Sequence, residues 1–171
     1  MPEPKIPAYP AAPIERKDTA FSVKSIIQIT PEDNGAAATV FATDELTMSV
    51  KNETKTLEFP GEDGVLTVIR KEQTKREETY AFKAKNPAKV MALFGGTNKL
   101  IDAKVRIWRI DPKDAPGTCR AASEEFPASV EIDGDTKAGG GDFESWGIKL
   151  TSLKPSGAVE WYWQPALTPA A

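Results

Sequence analysis

Short runs in which apolar and polar residues alternate recur along most of the chain, which is the pattern of β-strands with one buried face. In residues 45–51, for example, Leu46, Met48 and Val50 alternate with polar residues. Turn-forming residues separate these runs. The predicted strands are Lys24–Thr30, Ala36–Ala42, Glu45–Lys51, Val65–Glu72, Glu77–Lys85, Ile101–Ile110, Cys119–Glu125, Ala128–Ile132, Phe143–Leu153 and Ala158–Trp163. The pattern predicts a mainly β fold, a sandwich or barrel of about eight to ten short strands.

Four segments interrupt the simple alternation. The polar stretch Asn52–Gly64 is either a long loop or a short extra strand. The segment Gln73–Arg76 is charged, and it predicts a hairpin turn between the strands on either side. A shift of phase at Trp108 predicts a β-bulge, and the Gly-rich segment Asp133–Asp142 predicts a loop.

One stretch, AKNPAKVMALFGG at residues 84–96, has helical rather than alternating order. Asn86 fits the N-cap position and Pro87 the first helical position, while Gly95 and Gly96 fit the C-terminal stop. Val90, Leu93 and Phe94 form one apolar stripe. The sequence therefore predicts a flanking helix over residues 86–95, too short to be stable unless it packs on the sheet.

The N-terminal segment is rich in proline, with five prolines in residues 1–13. Proline favours an extended backbone and removes donors, so residues 1–20 are predicted to form an extended arm and residues 21–171 a single β-sandwich domain. Two interpretations of the arm remain open. It is either a loose terminus or a segment that docks on a neighbouring subunit through Ile6, Tyr9 and Ile14.

The composition argues against an enzyme. The chain has no histidine and only one cysteine, which removes the commonest general base and most zinc-ligand sets. The acidic residues 131–144 fail the ligand order of an EF-hand, so an ordinary loop is favoured over a calcium site. No nucleophile motif or phosphate loop occurs. We therefore expect no catalytic residues, no metal and no cofactor.

Charge and hydropathy narrow the class of partner. A net charge of −3 gives no basis for specific nucleic-acid binding. The sequence contains no apolar run of about 18 residues, so no membrane partner is expected. The single Cys119 fits a reducing compartment.

Tryptophans supply an alternative function. Trp146, Trp161 and Trp163 are candidates for an aromatic platform in a carbohydrate-binding or capsid-decorating β-sandwich. Trp161 and Trp163 share a strand face with Val159, however, and this favours packing in the core.

The run EETYAFKAKNPAKVMALFGGTN, residues 77–98, joins an aromatic strand to a short capped helix that ends at glycine. It resembles the tail tube proteins (major tail proteins) of long-tailed bacteriophages, a fold related to the ring protein of type VI secretion systems. The resemblance extends over about residues 65–110. It implies a structural virion protein whose subunits form stacked, hexameric rings, with four strands of each subunit closing one inner barrel through which DNA is delivered.

The resemblance also implies partners and sites. The partners would be further copies of the chain and other tail proteins, and DNA would pass without specific binding, since a lumen of acidic or small polar groups repels phosphates. The particle would be a virion tail assembled in the host cytoplasm. The predicted subunit interface comprises Ile6, Tyr9, Ile14, Leu57, Phe59 and Lys89, and the predicted lumen-facing residues are Thr47, Ser49, Thr67 and Thr79.

Overall fold

The computed structural model describes residues 24–32, 37–95, 99–113, 119–134, 136–139, 142–155 and 158–163. Within these ranges the chain forms ten strands and one α-helix. They are β1 (Lys24–Pro31), β2 (Thr39–Thr43), β3 (Leu46–Pro60), β4 (Leu66–Ala84), α1 (Pro87–Phe94), β5 (Ile101–Ile110), β6 (Ala121–Ser123), β7 (Phe126–Ile132), β8 (Lys137–Gly139), β9 (Asp142–Ser152) and β10 (Trp161–Trp163). The mainly β fold with one short helix, predicted from the alternating pattern, is confirmed. The predicted arm, residues 1–20, lies outside the described residues.

Nine strands form one antiparallel sheet, and β8 pairs with β9 at its side. The main path runs β2-β1-β5-β7-β9-β4-β3. At the C-terminal half of β5 the place of β7 is taken by β6, which in turn pairs with β10. The ring of Phe41 on β2 lies 5.6 Å from that of Phe82 on β4, although the two strands are far apart in the sheet order. The sheet is therefore curled. The two strands thus approach through side chains, and the sheet encloses the core.

The main core lies on the concave side of the curled sheet. Alternate residues of β1, β4, β5, β7 and β9 point into it, as the period-2 pattern requires. The buried set includes Ile27, Ile29, Tyr80, Phe82, Val105, Ile107, Phe126, Val130, Ile148 and Leu150. The residues between them in sequence form the opposite face of the sheet, called here the outer face, and they are mostly polar.

Helix α1 has the caps and the buried stripe that its sequence predicts. The side chain of Asn86 accepts a hydrogen bond from the backbone N–H of Lys89 at 3.2 Å, and Gly95 ends the helix in the left-handed conformation at φ 60°. Val90, Leu93 and Phe94 are buried in the main core. The helix therefore packs against the sheet, which stabilises a segment too short to persist alone.

The structure decides one open alternative and corrects one prediction in the first half of the chain. Of the two alternatives for Asn52–Gly64, the strand is the nearer one, because β3 continues without interruption to Pro60 and only residues 61–64 lie in a turn. The predicted turn Gln73–Arg76 lies inside β4, which is one strand of 19 residues. The true turn is at residues 61–65, where the N–H of Gly61 donates to the carbonyl of Val65 at 2.8 Å.

Two further predictions are wrong. The register of β5 with β1 is continuous, so there is no bulge at Trp108. Instead Ile107 faces the main core, while Trp108 faces a second, smaller cluster on the outer face with Ile26, Cys119 and Ala122. The segment Asp133–Asp142 is also not all loop, since Lys137–Gly139 forms β8.

Candidate assembly interface

The longest two strands form a hairpin that extends well beyond the body of the protein. β4 pairs with β9 only over Thr79–Ala84, whereas its pairing with β3 continues to the turn. Residues 50–78, called here the projecting hairpin, are therefore a two-stranded ribbon about 35 Å long at the usual rise per residue. Where their side chains are described, most residues of this ribbon are exposed on both faces.

Both long edges of the projecting hairpin are open. Among the described residues, β3 pairs with β4 alone, and residues 66–78 of β4 pair with β3 alone. Such edges present rows of unpaired N–H and C=O groups that readily pair with another strand. An isolated two-stranded ribbon is only marginally stable in water. The hairpin is thus a surface that a partner strand would complete.

Charges alternate in sign along the outer face of the projecting hairpin. Lys51 lies opposite Glu77, and Glu53 opposite Lys75. A register shift after Glu53 then brings Lys55 opposite Glu72 rather than opposite the neutral Gln73. The result is a row of plus, minus, plus on β3 that faces minus, plus, minus on β4.

The end of the projecting hairpin is apolar. Phe59, Val65 and Leu66 are 57%, 61% and 62% exposed, and they surround the turn at residues 61–65. Nearer the body, Met48 and Val50 are also exposed, on the core-side face. Large apolar side chains held this far from the body are typical of surfaces that contact another molecule. Sequence reasoning singled out Phe59 and missed Val65 and Leu66, because it assigned both of them to the ordinary predicted strand Val65–Glu72.

A buried carboxylate lies where the projecting hairpin leaves the body. Glu78 is 3% exposed, and its Oε1 accepts bonds from Arg76 Nη2 at 2.6 Å and Nε at 3.0 Å. Its Oε2 accepts from the hydroxyl of Tyr80 at 3.0 Å and from the backbone N–H of Val159 at 3.1 Å. One side chain therefore ties the base of the hairpin to the core and to the segment before β10.

Tyr80 is shielded beside this carboxylate. Burial raises the pKa of its hydroxyl well above the ordinary range, and the nearby charge of Glu78 acts in the same direction. The hydroxyl therefore remains protonated and continues to donate to Glu78. Sequence analysis did not single out Glu78. A signal was present in its position, because a residue two places before Tyr80 in a strand lies in the same core-facing row.

The four predicted lumen-facing residues share one face. Thr47 is opposite Ala81, Ser49 is opposite Thr79, and Thr67 is opposite Phe59, all on the outer face. Thr47, Ser49 and Thr79 are near the body, whereas Thr67 is close to the turn. Their assignment to a lumen stays a prediction.

The predicted interface residues fall in three places. Leu57 and Phe59 lie on the outer face of the projecting hairpin, half-buried and exposed respectively. Lys89 is on α1, and its ammonium donates to the backbone carbonyl of Val40 at 2.9 Å, so it has a partner inside the chain. Ile6, Tyr9 and Ile14 lie outside the described residues. The structure brings Leu57 and Phe59 together and leaves Lys89 apart from them.

An open groove of about 380 Å³ lies on the body beside the turn from β2 to β3. Its charged residues are Asp44, Glu45, Lys83, Lys85 and Asp133. The chain needs glycine at position 147 here, because a Cβ would overlap the carbonyl oxygen of Asp133. The mixed charge of the groove is typical of a polar contact surface.

Reactive groups are few in the described part of the chain. The Cys119 thiol is buried, which raises its pKa to about 11 and leaves little thiolate near neutral pH. Within the described ranges, no three His, Cys, Asp or Glu side chains are grouped so as to hold a metal ion. Of the same residues, none forms a helix with the length and apolar character needed to cross a membrane.

The tryptophans whose side chains are described are not arranged as an open platform. Trp108 is 1% exposed, and Trp161 is half-buried with its ring 6.3 Å from that of Tyr80. The guanidinium of Arg109 lies over the Trp161 ring at 4.8 Å. Trp146 is half-buried as well, and its Nε1 donates to Glu144 at 2.8 Å. The side chain of Trp163 is not among those described.

Comparison with known proteins gives a likeness in fold. No protein-family model matches the chain, and no curated protein matches it. Its structure is similar to a chain in the cryo-EM structure of the anti-feeding prophage baseplate, 6-fold symmetrised, with a TM-score of 0.51 and 11% identity over 85% of this chain and 97% of that chain. At this identity the likeness concerns the fold alone.

Two other solved structures are similar at a lower level. One contains the anti-feeding prophage tube-terminating cap, with a TM-score of 0.49 and 12% identity over 90% of this chain and 97% of that chain. The other is the extended sheath-tube complex of an extracellular contractile injection system, with a TM-score of 0.45 and 11% identity over 81% and 88%. With TM-scores below 0.5, neither supports a functional argument.

Proposed function

We propose that this chain is a non-enzymatic structural subunit of a phage-tail-like particle, in which copies assemble into stacked, six-membered rings that form the tube. The observation that carries the proposal is the projecting hairpin. It has two open edges, both faces exposed and an apolar end, and it has no core of its own. Such a ribbon is completed when the neighbouring copy supplies the missing strand at each edge.

The fold supports the same reading. A subunit of similar fold occurs in a baseplate that was reconstructed with six-fold symmetry. In a ring of identical subunits each interface is heterologous: the β3 edge of one copy meets the β4 edge of the next, and rotation closes the ring. No separate partner is needed, and neither edge of the projecting hairpin remains open. Other tail proteins would then contact the faces of the ring.

The outer face is the surface we assign to the lumen. It contains the row of small polar residues Thr47, Ser49 and Thr79 and, further along, the alternating charges of the projecting hairpin. Charges of both signs, each beside its opposite, give a wetted wall without a strong field of one sign. DNA would therefore pass along this wall without being held, and delivery of DNA is the role proposed for the tube in the virion tail.

The N-terminal arm and α1 are assigned to contacts outside the lumen. α1 is buried on one side only, and Met91 on its other side is 45% exposed. Lys89 lies near β2 through its bond to Val40, at the opposite edge of the main path from β3. Ile6, Tyr9 and Ile14 of the arm are proposed to dock on a neighbouring copy.

The proposal is tested by shortening the projecting hairpin. Residues 53–75 are replaced by Asn-Gly, which joins Asn52 directly to its opposite residue Arg76 through a favoured two-residue turn. The body strands and the bonds from Arg76 and Tyr80 to Glu78 are retained. The shortened protein is expected to fold as a monomer, whereas the full chain forms rings and tubes in negative-stain electron microscopy.

A matched control, Phe59→Ser with Leu66→Ser, keeps the hairpin and removes two of the three exposed apolar side chains at its end. We expect this variant still to form rings, because the open edges remain. Its rings should stack less readily than those of the full chain. A full chain that is strictly monomeric at high concentration, with no rings or tubes, contradicts the proposal. A shortened protein that still forms rings contradicts the role of the hairpin in them.

A further inference from the structure

We propose that the alternating charges of the projecting hairpin set the register between neighbouring copies of this chain. The partner is a second copy, and the contact is the β3 edge of one hairpin beside the β4 edge of the next. This step rests on the proposed ring, but it concerns a property that ring formation alone does not require. The inference rests on residues of opposite charge that face each other across the two strands: Lys51 opposite Glu77, and Glu53 opposite Lys75.

Inside one hairpin, the rows are complementary. β3 presents Lys51, Glu53 and Lys55 in the order plus, minus, plus, and β4 presents the opposite sign at each partner position. Residues that lie directly opposite on one face of an antiparallel pair are close enough to attract or repel. The shift after Glu53 keeps this order where a regular ladder would lose it.

Each row also lies beside an open edge of the projecting hairpin, the β3 row at one edge and the β4 row at the other. In a ring, β3 of one copy runs antiparallel to β4 of the next, as it does to β4 of its own copy. If the outer register repeats the inner one, each plus of β3 again lies opposite a minus of the neighbour. The charges then form a checkerboard that continues around the ring.

Displaced registers are penalised by the same charges. A slip of two residues in one direction would put Lys51 opposite Lys75 and Glu53 opposite Glu72. In the other direction Glu53 would lie opposite Glu77 and Lys55 opposite Lys75, so either slip brings at least two pairs of like charges together. A slip of one residue would turn the rows to opposite faces. A flat polar ribbon without this pattern would slip readily, which is why the alternation has consequences for assembly.

The charged side chains are available for contacts between copies. Lys51, Glu53, Lys55 and Lys75 are exposed, and Glu77 is half-buried. Among the described residues, none of these five lies within 4.0 Å of an opposite charge. Their contacts are therefore not already fixed by an ion pair inside the subunit, unlike Glu72, which lies 3.2 Å from Arg70.

The test uses a copy in which two of the three charge pairs are reversed, and the pair Lys55–Glu72 is left unchanged. The variant K51E/E53K/K75E/E77K keeps every pair inside its own hairpin complementary, so its fold and its self-association are retained. Against a wild-type neighbour, however, the four reversed positions meet like charges. The exchanged Lys and Glu residues cancel in mass, so the wild-type monomer is labelled uniformly with nitrogen-15 and the reversed monomer is left unlabelled. The two are mixed at low salt, and the composition of the rings is measured by native mass spectrometry; the control variant is treated in the same way.

We expect the two proteins to form separate rings, with mixed neighbours depleted about tenfold relative to random mixing at low salt and less at high salt. The matched control is E131K/K149E, which reverses an ion pair of 3.7 Å inside the body, between β7 and β9. This control is expected to mix with wild-type protein at random.

Two results overturn the inference. Random mixing of the hairpin variant with wild-type protein means that the charge rows do not meet across the interface, while the ring itself still stands. Segregation of the body control to the same degree means that the effect comes from charge reversal anywhere. If the wild-type chain forms no rings at all, the proposed function fails and this inference fails with it.

Discussion

At the scale of single residues, Glu78 is the most informative side chain. It is an ionisable group inside a mostly apolar row, and both of its oxygens accept hydrogen bonds at 3.1 Å or less. A buried charge persists when it is paired and fully hydrogen-bonded. Because the donors come from the hairpin base, the core and the segment before β10, one residue fixes the relative position of three parts of the chain.

We expect Glu78→Ala to destabilise the fold by about 3 kcal/mol, since it leaves buried donors without an acceptor. The free energy of unfolding from urea titration measures this. Glu58→Ala, an exposed glutamate on β3, is the control and should change stability by no more than about 0.5 kcal/mol. An equal loss in both variants would show that the carboxylate network does not stabilise the fold.

At the scale of elements, α1 and the projecting hairpin are opposites. α1 is short but has caps, a C-terminal glycine and three buried side chains. The hairpin is long, yet most of its described side chains are exposed. The stability of α1 therefore comes from packing in the subunit, whereas that of the hairpin depends on a neighbour.

Leu93→Ala on α1 is expected to cost about 2–5 kcal/mol, because Leu93 is 1% exposed and its removal leaves a cavity in the main core. Thermal or urea unfolding measures the loss. Met91→Ala, two residues away on the exposed side, should have an effect of about 0.5 kcal/mol or less. Similar losses for the two variants would mean that α1 is not held by its buried stripe.

The same contrast explains what the sequence could predict. Periodicity reports burial, so it located α1 and the strands that line the core, where one face is apolar. It left loop and strand open over Asn52–Gly64 and wrongly placed a turn at Gln73–Arg76, because a ribbon that is exposed on both faces has no apolar row to reveal it. At Trp108 the pattern was misread as a bulge, since a strand with a cluster on each face breaks alternation without breaking register.

Parts of the candidate interface followed from local pattern and parts did not. Small polar residues at alternate positions led to Thr47, Ser49 and Thr79, and the register places them on one face. The opposition of charges across β3 and β4 could not be read from the sequence, because it depends on a long-range register with two shifts. The apolar end also required the true turn at residues 61–65.

At the scale of the whole molecule, a curled sheet around one core carries a ribbon that has no core. In the sheet, β5, β7 and β9 have strands on both sides and bury their inner face. In the projecting hairpin, each strand has one partner. Local stability should differ accordingly between the two parts.

Hydrogen exchange should show this difference. In the monomer, amides of residues 50–58 and 67–76 are expected to exchange much faster than those of β5 and β9, because many of them point to open edges. In assembled rings the same amides should become protected, while the body changes little. Equal protection of hairpin and body amides in the monomer would contradict the expected difference in local stability between the two parts.

The buried Cys119 has a practical consequence for following assembly. As the single cysteine of the chain, with a thiol pKa of about 11 and 2% exposure, it should react slowly with maleimides near neutral pH. A second cysteine placed at an exposed position, such as Thr67, can therefore be given a fluorophore without first replacing Cys119. The native chain is in this respect a ready background for site-specific labels that report when the hairpin leaves water.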